Sequence, residues 1–237
     1  MKLAVREWGE VGDVTIVFWH ALGADASGAD FAAVAQVLAV AGFHVFAVDG
    51  PGFGRSPLAA AEDYRLDSLV AGLRELLDDR KVDRPVLMGH SWGGAIAVRY
   101  AAAHPDDVRA LILLDSGHID YASLPEVVVD RTPEEWVAEA RARNPLRAEA
   151  RGRAMCGLVD PVSVAWPVIA EREVPTLLFL ATEPPHVEQN REHIGRFEAA
   201  MPHAEVRWVD GASHGIVEDV GAPLGDEIAT WLVAQGL

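Results

Sequence analysis

The chain has 237 residues, half of them hydrophobic, with 36 acidic and 20 basic side chains and a formal net charge of −16. That acidity excludes nucleic acid and anionic membranes as expected partners. The single cysteine, Cys156, excludes an internal disulfide framework, fits a reducing compartment and is expected to be packing rather than catalytic. No apolar run is long enough for a secretory signal or a membrane span, so one cytoplasmic domain, monomeric or homodimeric, is expected.

Short β-branched runs alternate with longer amphipathic stretches, the pattern of parallel βαβ units. An edge strand is predicted at Leu3–Glu7, then core strands at Thr15–Trp19, Val45–Val48, Val86–Met88, Leu111–Leu114, Thr176–Leu180 and Val206–Val209. Helices are predicted near Asp30–Ala41, Asp67–Asp78, Trp92–Ala103, Asn190–Ala200 and Leu224–Ala234. Asp67 and Ser68 read as N-caps of the second helix, and Gly42 as the C-terminal stop of the first. From Ser116 to Glu173 the alternation stops. Charged, helix-forming sequence broken by Pro125, Pro133, Pro145, Pro161 and Pro167 predicts a helical insertion there.

The most informative stretch is Gly89-His90-Ser91-Trp92-Gly93-Gly94, between the run Pro85–Met88 and an Ala-rich helix. A strand, a glycine-flanked serine and a helix make a nucleophile elbow. The turn is so sharp that the serine adopts strained backbone angles and its neighbours must lack side chains. The serine then stands at a helix N-terminus, whose amides favour a developing oxyanion. A serine is a weak nucleophile near neutral pH and needs a base. His214, in Asp210-Gly211-Ala212-Ser213-His214-Gly215 after the last strand, is the candidate. His20-Ala21-Leu22-Gly23 follows the first core strand, where backbone N–H groups can face the reacting oxygen, with His20 organising the loop. Asp49-Gly50-Pro51-Gly52-Phe53-Gly54-Arg55-Ser56 reads as a tight turn tied down by Asp49 and Arg55. It lacks the Gly-Lys-Ser/Thr of a phosphate loop.

These four segments, in this order, resemble the α/β-hydrolase family from about Trp8 to the C-terminus, and most closely its small, capped serine hydrolases. The resemblance implies a doubly wound, mainly parallel sheet, with residues 1–115 and 174–237 as core. Residues 116–173 would form a small helical cap inserted after the sixth core strand. It also implies an acyl-enzyme on Ser91, with His214 as base, an oxyanion hole from the N–H groups of Leu22 and Trp92, and no metal or organic cofactor. Two departures stand out. Most relatives carry glycine where this chain has Ala21, and Pro184 stands where the Gly-x-x-Asp of the family places its acid. Asp115, 24 residues after Ser91, and Glu183 are the alternative acids, with Asp120 and Glu188 behind them. Apolar pocket walls are expected from Trp19, Trp92, Leu124, Trp136 and Trp166. The implied substrate is a small, partly apolar ester or related acyl compound. Carbon–carbon bond hydrolysis, perhydrolysis and a non-catalytic ligand-binding role on the same fold are the alternatives.

Overall fold

The computed structural model describes residues 1–12, 14–119, 132–158 and 166–237. Seven strands form one sheet: β1 (Ala4–Trp8), β2 (Thr15–Trp19), β3 (His44–Asp49), β4 (Val86–His90), β5 (Ala110–Leu114), β6 (Thr176–Ala181) and β7 (Glu205–Val209). Their spatial order is β1-β3-β2-β4-β5-β6-β7, with β1 antiparallel to β3 and every other pairing parallel. The central strands read as continuous apolar runs because both faces of a parallel sheet are covered. Alternation sends Val17, Trp19, Leu87, Leu111 and Leu113 to one core, and Ile16, Phe18, Met88, Ile112 and Leu114 to the other.

The first core is closed by α2 (Leu66–Arg80), α3 (Trp92–Ala103) and α7 (His186–Ala200). The second is closed by α1 (Ala32–Val40), α8 (Ile216–Val220) and α9 (Ala222–Ala234). Gly42, at φ +99°, follows α1 and turns the chain as a C-terminal stop should. The expected caps of α2 are corrected. The helix starts at Leu66, with Arg65 at the cap position and no side-chain cap. Asp67 instead accepts from Arg99, and Ser68 donates to the carbonyl of Glu62. Burial of Tyr64 and Leu66 in the core fixes where this helix begins, and tertiary packing overrides the local cap signal.

Between β5 and β6 lie α4 (Pro133–Arg143), α5 (Ala148–Leu158) and α6 (Trp166–Glu171), and no strand among the described residues. The insertion was expected after the sixth core strand; among the described residues these helices follow the fifth of seven strands. A capping box opens α4. Thr132 Oγ1 accepts from the N–H of Glu135, whose carboxylate accepts from the N–H of Thr132. α4 packs on α5, and α5 lies over the turn that follows β3, where Arg147 Nη1 donates to the Gly52 carbonyl at 2.8 Å. α6 packs instead against α3 and α7.

Candidate active site

The elbow is shaped by backbone crowding. Ser91 has φ 53° and ψ −115°, a strained conformation for a residue with a side chain. A Cβ at Gly89 would lie 2.2 Å from the Gly93 carbonyl oxygen, and one at Gly93 would lie 2.0 Å from that of Trp19. The flanking glycines are therefore steric necessities, and they press the N-terminus of α3 against the end of β2. Trp92 is the first residue of α3, so its N–H has no acceptor within the helix. The Gly94 N–H bonds back to the Ser91 carbonyl.

Above this turn an unbroken hydrogen-bonded line crosses the sheet edge. Ser91 Oγ lies 2.8 Å from His214 Nε2, and His214 Nδ1 lies 2.6 Å from Asp115 Oδ2. Asp115 directly follows β5, is buried and has φ 46°. Its other oxygen, Oδ1, accepts from the Ala181 N–H at 2.9 Å and from Asn190 Nδ2 at 2.6 Å. Burial opposes the charge on Asp115. The hydrogen bonds from His214, Ala181 and Asn190 outweigh it and hold the carboxyl below the ordinary carboxylate range. Glu183 lies apart from this line. Its side chain is exposed, and its N–H donates to the Ala212 carbonyl.

Three more histidines frame the line, and none was singled out for this from sequence. His90, the variable residue before Ser91, lies with Nε2 2.5 Å from the His214 carbonyl, tying the loop that carries His214 to the elbow. His186, the first residue of α7, stacks on the His214 ring at 4.2 Å and 16°. His118 reaches Asn190 Oδ1 at 3.0 Å. The possible metal-ligand atoms of Asp115, His186 and His214 fall within 4.8 Å of one another, a closeness that the Asp115–His214 hydrogen bond and the ring stack account for. A signal for Asn190 existed: with His193 it is one of two polar members of the buried stripe Val187, Asn190, His193 and Phe197 on α7.

His20 organises the loop after β2. Nδ1–H donates to the Ala21 carbonyl at 2.6 Å, and Nε2 accepts from the Gly50 N–H at 2.9 Å. Ala21 is absent from the positive-φ residues, so a methyl group there costs no backbone strain. Leu22 is half-buried against the first core. Asp49 accepts from the N–H groups of Gly28 and Arg55 and from Arg55 Nε, tying down the turn after β3. The residues expected to wall the pocket are placed as follows. Trp19 and Trp92 are buried edge-to-face, with Gly50 against both indoles. Trp166 is buried between α6 and α7, edge-on to Phe197 and donating to the Gly117 carbonyl. Trp136 is half-buried on α4, and Leu124 and Asp120 lie outside the described residues.

Burial pushes the His20 and His90 side chains down to about 4 from 6.5. Both are therefore neutral in the fold, whereas the unfolded chain protonates them below pH 6.5. Stability is complete above that value and falls as the pH drops toward 4, because the unfolded state binds the extra protons. The expected loss by pH 5 is about 2 kcal/mol for each histidine. The unfolding temperature should fall by about 10 °C between pH 7.5 and 5, and His90→Gln should make the dependence shallower. Equal melting temperatures at the two pH values would contradict this.

This chain belongs to the α/β-hydrolase family. The family profile, described as alpha/beta hydrolase fold, matches residues 14–219. Among curated relatives, it is 39% identical over 123 residues to Lipase LipV of Mycobacterium tuberculosis, covering 49% of this chain and 43% of the relative. It is 33% identical over 134 residues to Lipase 1 of Psychrobacter immobilis, covering 56% and 41%. The matches thus span about two-fifths of those relatives' own lengths. A marine microorganism esterase shares the fold with a TM-score of 0.74 at 22% identity, over 97% of this chain and 98% of the esterase. No described helix is long and apolar enough to cross a membrane.

Proposed function

We propose that the protein is a serine hydrolase that cleaves an ester or related acyl bond of a small, partly apolar substrate. The observation that carries this is the line from Ser91 Oγ through His214 to Asp115, at 2.8 and 2.6 Å. Ser91 attacks the carbonyl carbon while His214 Nε2 takes its proton. The carbonyl oxygen becomes an oxyanion and accepts from the N–H groups of Trp92 and Leu22, each donor worth about 100- to 1,000-fold in rate. His214 then gives its proton to the leaving alkoxide, and an acyl ester remains on Ser91. Water, deprotonated by His214, attacks that ester and releases the acid. Asp115 keeps the imidazole in the tautomer whose Nε2 accepts, and stabilises its charged form. None of these steps draws on a metal or organic cofactor. We further propose that residues 116–173 cap the carboxyl edge of the core formed by 1–115 and 174–237. Two lipases among the relatives, and a serine at the elbow, favour ester chemistry.

Intact mass after exposure to a fluorophosphonate tests the reading. One adduct is expected on the wild-type protein and none on Ser91→Ala. A folded wild-type protein that takes up no adduct would turn the reading to a ligand-binding protein on a hydrolase fold.

A further inference from the structure

Asp115 occupies an unusual position for a group that must stay ionised: buried, at the end of β5, and reached by an amide from a separate helix. We infer that Asn190 is a positioning residue, through which α7 and His118 hold the Asp115 carboxylate charged and aimed at His214. The inference rests on the catalytic reading of Ser91 and His214 and extends it to a fourth and fifth side chain.

The hydrogen bonds leave the amide a single orientation. Asn190 Nδ2 donates to Asp115 Oδ1 at 2.6 Å and to the Ala181 carbonyl at 3.3 Å. Two acceptors on that side require the NH₂ group there and leave Oδ1 facing the opposite way. His118 Nε2 meets that oxygen at 3.0 Å, and the match requires an Nε2–H donor. Asn190 and His118 are both buried, so water does not compete for these bonds. Burial also pushes the His118 side chain down from its ordinary range, so it holds the amide as a neutral ring. With the Ala181 N–H, the amide satisfies Oδ1, leaving Oδ2 for His214 among the described residues. A carboxylate with one oxygen fixed by two donors cannot rotate away from the imidazole without breaking both bonds.

The test compares wild-type protein, Asn190→Leu and Asn190→Asp. Each is followed by the rate of fluorophosphonate labelling, by p-nitrophenyl butyrate turnover across pH, and by melting temperature. Among the described residues, the titratable groups around Asp115 are His214 from the loop after β7, His186 from α7, His118, and His90 from β4. His90 from β4 and Glu218 from α8 face His214, and His193 from α7 faces His118.

Asn190→Leu removes the donor at similar size. Labelling and kcat should fall about 10- to 100-fold, the loss expected for one hydrogen bond to a charged group, with KM nearly unchanged. Asn190→Asp sets a second carboxyl against Asp115, and the pair shares one proton. While the introduced group is protonated it can donate, and turnover exceeds that of Asn190→Leu. As pH rises and that proton leaves, the two carboxylates repel and turnover falls on an alkaline limb that the wild-type enzyme lacks. A purely structural role would lower the melting temperature without adding that limb. The inference is overturned if Asn190→Leu keeps kcat within about twofold, or if the Asn190→Asp profile superimposes on wild type. Should Asn190→Leu fail to fold, the near-isosteric Asn190→Asp decides alone. A wild-type protein that is not labelled at all overturns the catalytic reading, and this inference with it.

Discussion

Ser91→Ala is expected to lower turnover of a simple aryl ester by about a million-fold, the scale on which a nucleophile is lost from a hydrogen-bonded triad. The Oγ removed is the hydroxyl that His214 Nε2 meets at 2.8 Å, and among the described residues no other hydroxyl or thiol is hydrogen-bonded to that ring. The other histidines nearby are engaged in holding the site: His90 with the His214 carbonyl, and His20 with Ala21 and Gly50. Alanine keeps the Cβ, so the strained backbone at φ 53° persists and melting should change little. Ser91→Gly removes the same oxygen and also relieves the strain, so it should be equally inactive yet more stable than Ser91→Ala. Steady-state rates and melting curves of the two variants check both halves. Residual activity within 100-fold of wild type would move the nucleophile elsewhere.

Much of this architecture was legible in the sequence because parallel strands buried on both faces are nearly pure apolar runs. Thr15–Trp19 and Trp92–Ala103 begin and end where their residues suggest. β1 lies one residue later than the predicted edge strand and pairs antiparallel with β3. The start of α2 was not legible. Asp67 and Ser68 have the chemistry of caps, but the packing of Tyr64 and Leu66 beneath the sheet's helices decided where the helix begins, and no local motif encodes that.

The site divides along the same line. Ser91 and His214 sit in short glycine-bounded motifs whose geometry is local, so the sequence points to them directly. Which carboxylate meets His214 depends on which strand end faces the loop after β7, a property of the assembled sheet. Asp115 and Glu183 end neighbouring strands, and their spacing along the chain could not separate them. Nor could composition say which way an indole points. Trp19 alternates with Val17 toward the α3 side and is buried there, and Trp166 fills the space between α6 and α7. The signal at Asn190 could not be interpreted for a related reason: a polar residue in a helix's apolar stripe gains meaning only when the facing surface is known to be a carboxylate.

Asp115→Asn should lower kcat by about 10,000-fold, although it exchanges one atom and preserves shape. The two donors at Oδ1 determine how the new amide sits. The Ala181 N–H and Asn190 Nδ2 both require an acceptor, so the amide oxygen must face them and the NH₂ must face His214. His214 Nδ1 then has to accept, which moves the ring proton to Nε2, the atom that lies 2.8 Å from Ser91 Oγ. A base already protonated at that nitrogen cannot take the serine proton. The loss is therefore one of tautomer rather than of fold, and KM should change far less than kcat. Raising the pH should restore rate, as hydroxide substitutes for the missing base. Glu183→Gln, on an exposed side chain away from the line, should leave kcat within about twofold, the level at which surface changes are felt. If instead Glu183→Gln were the damaging change and Asp115→Asn mild, the acid would have to come from the loop after β6. The bonds that converge on Asp115 would then serve only to join β5, β6 and α7.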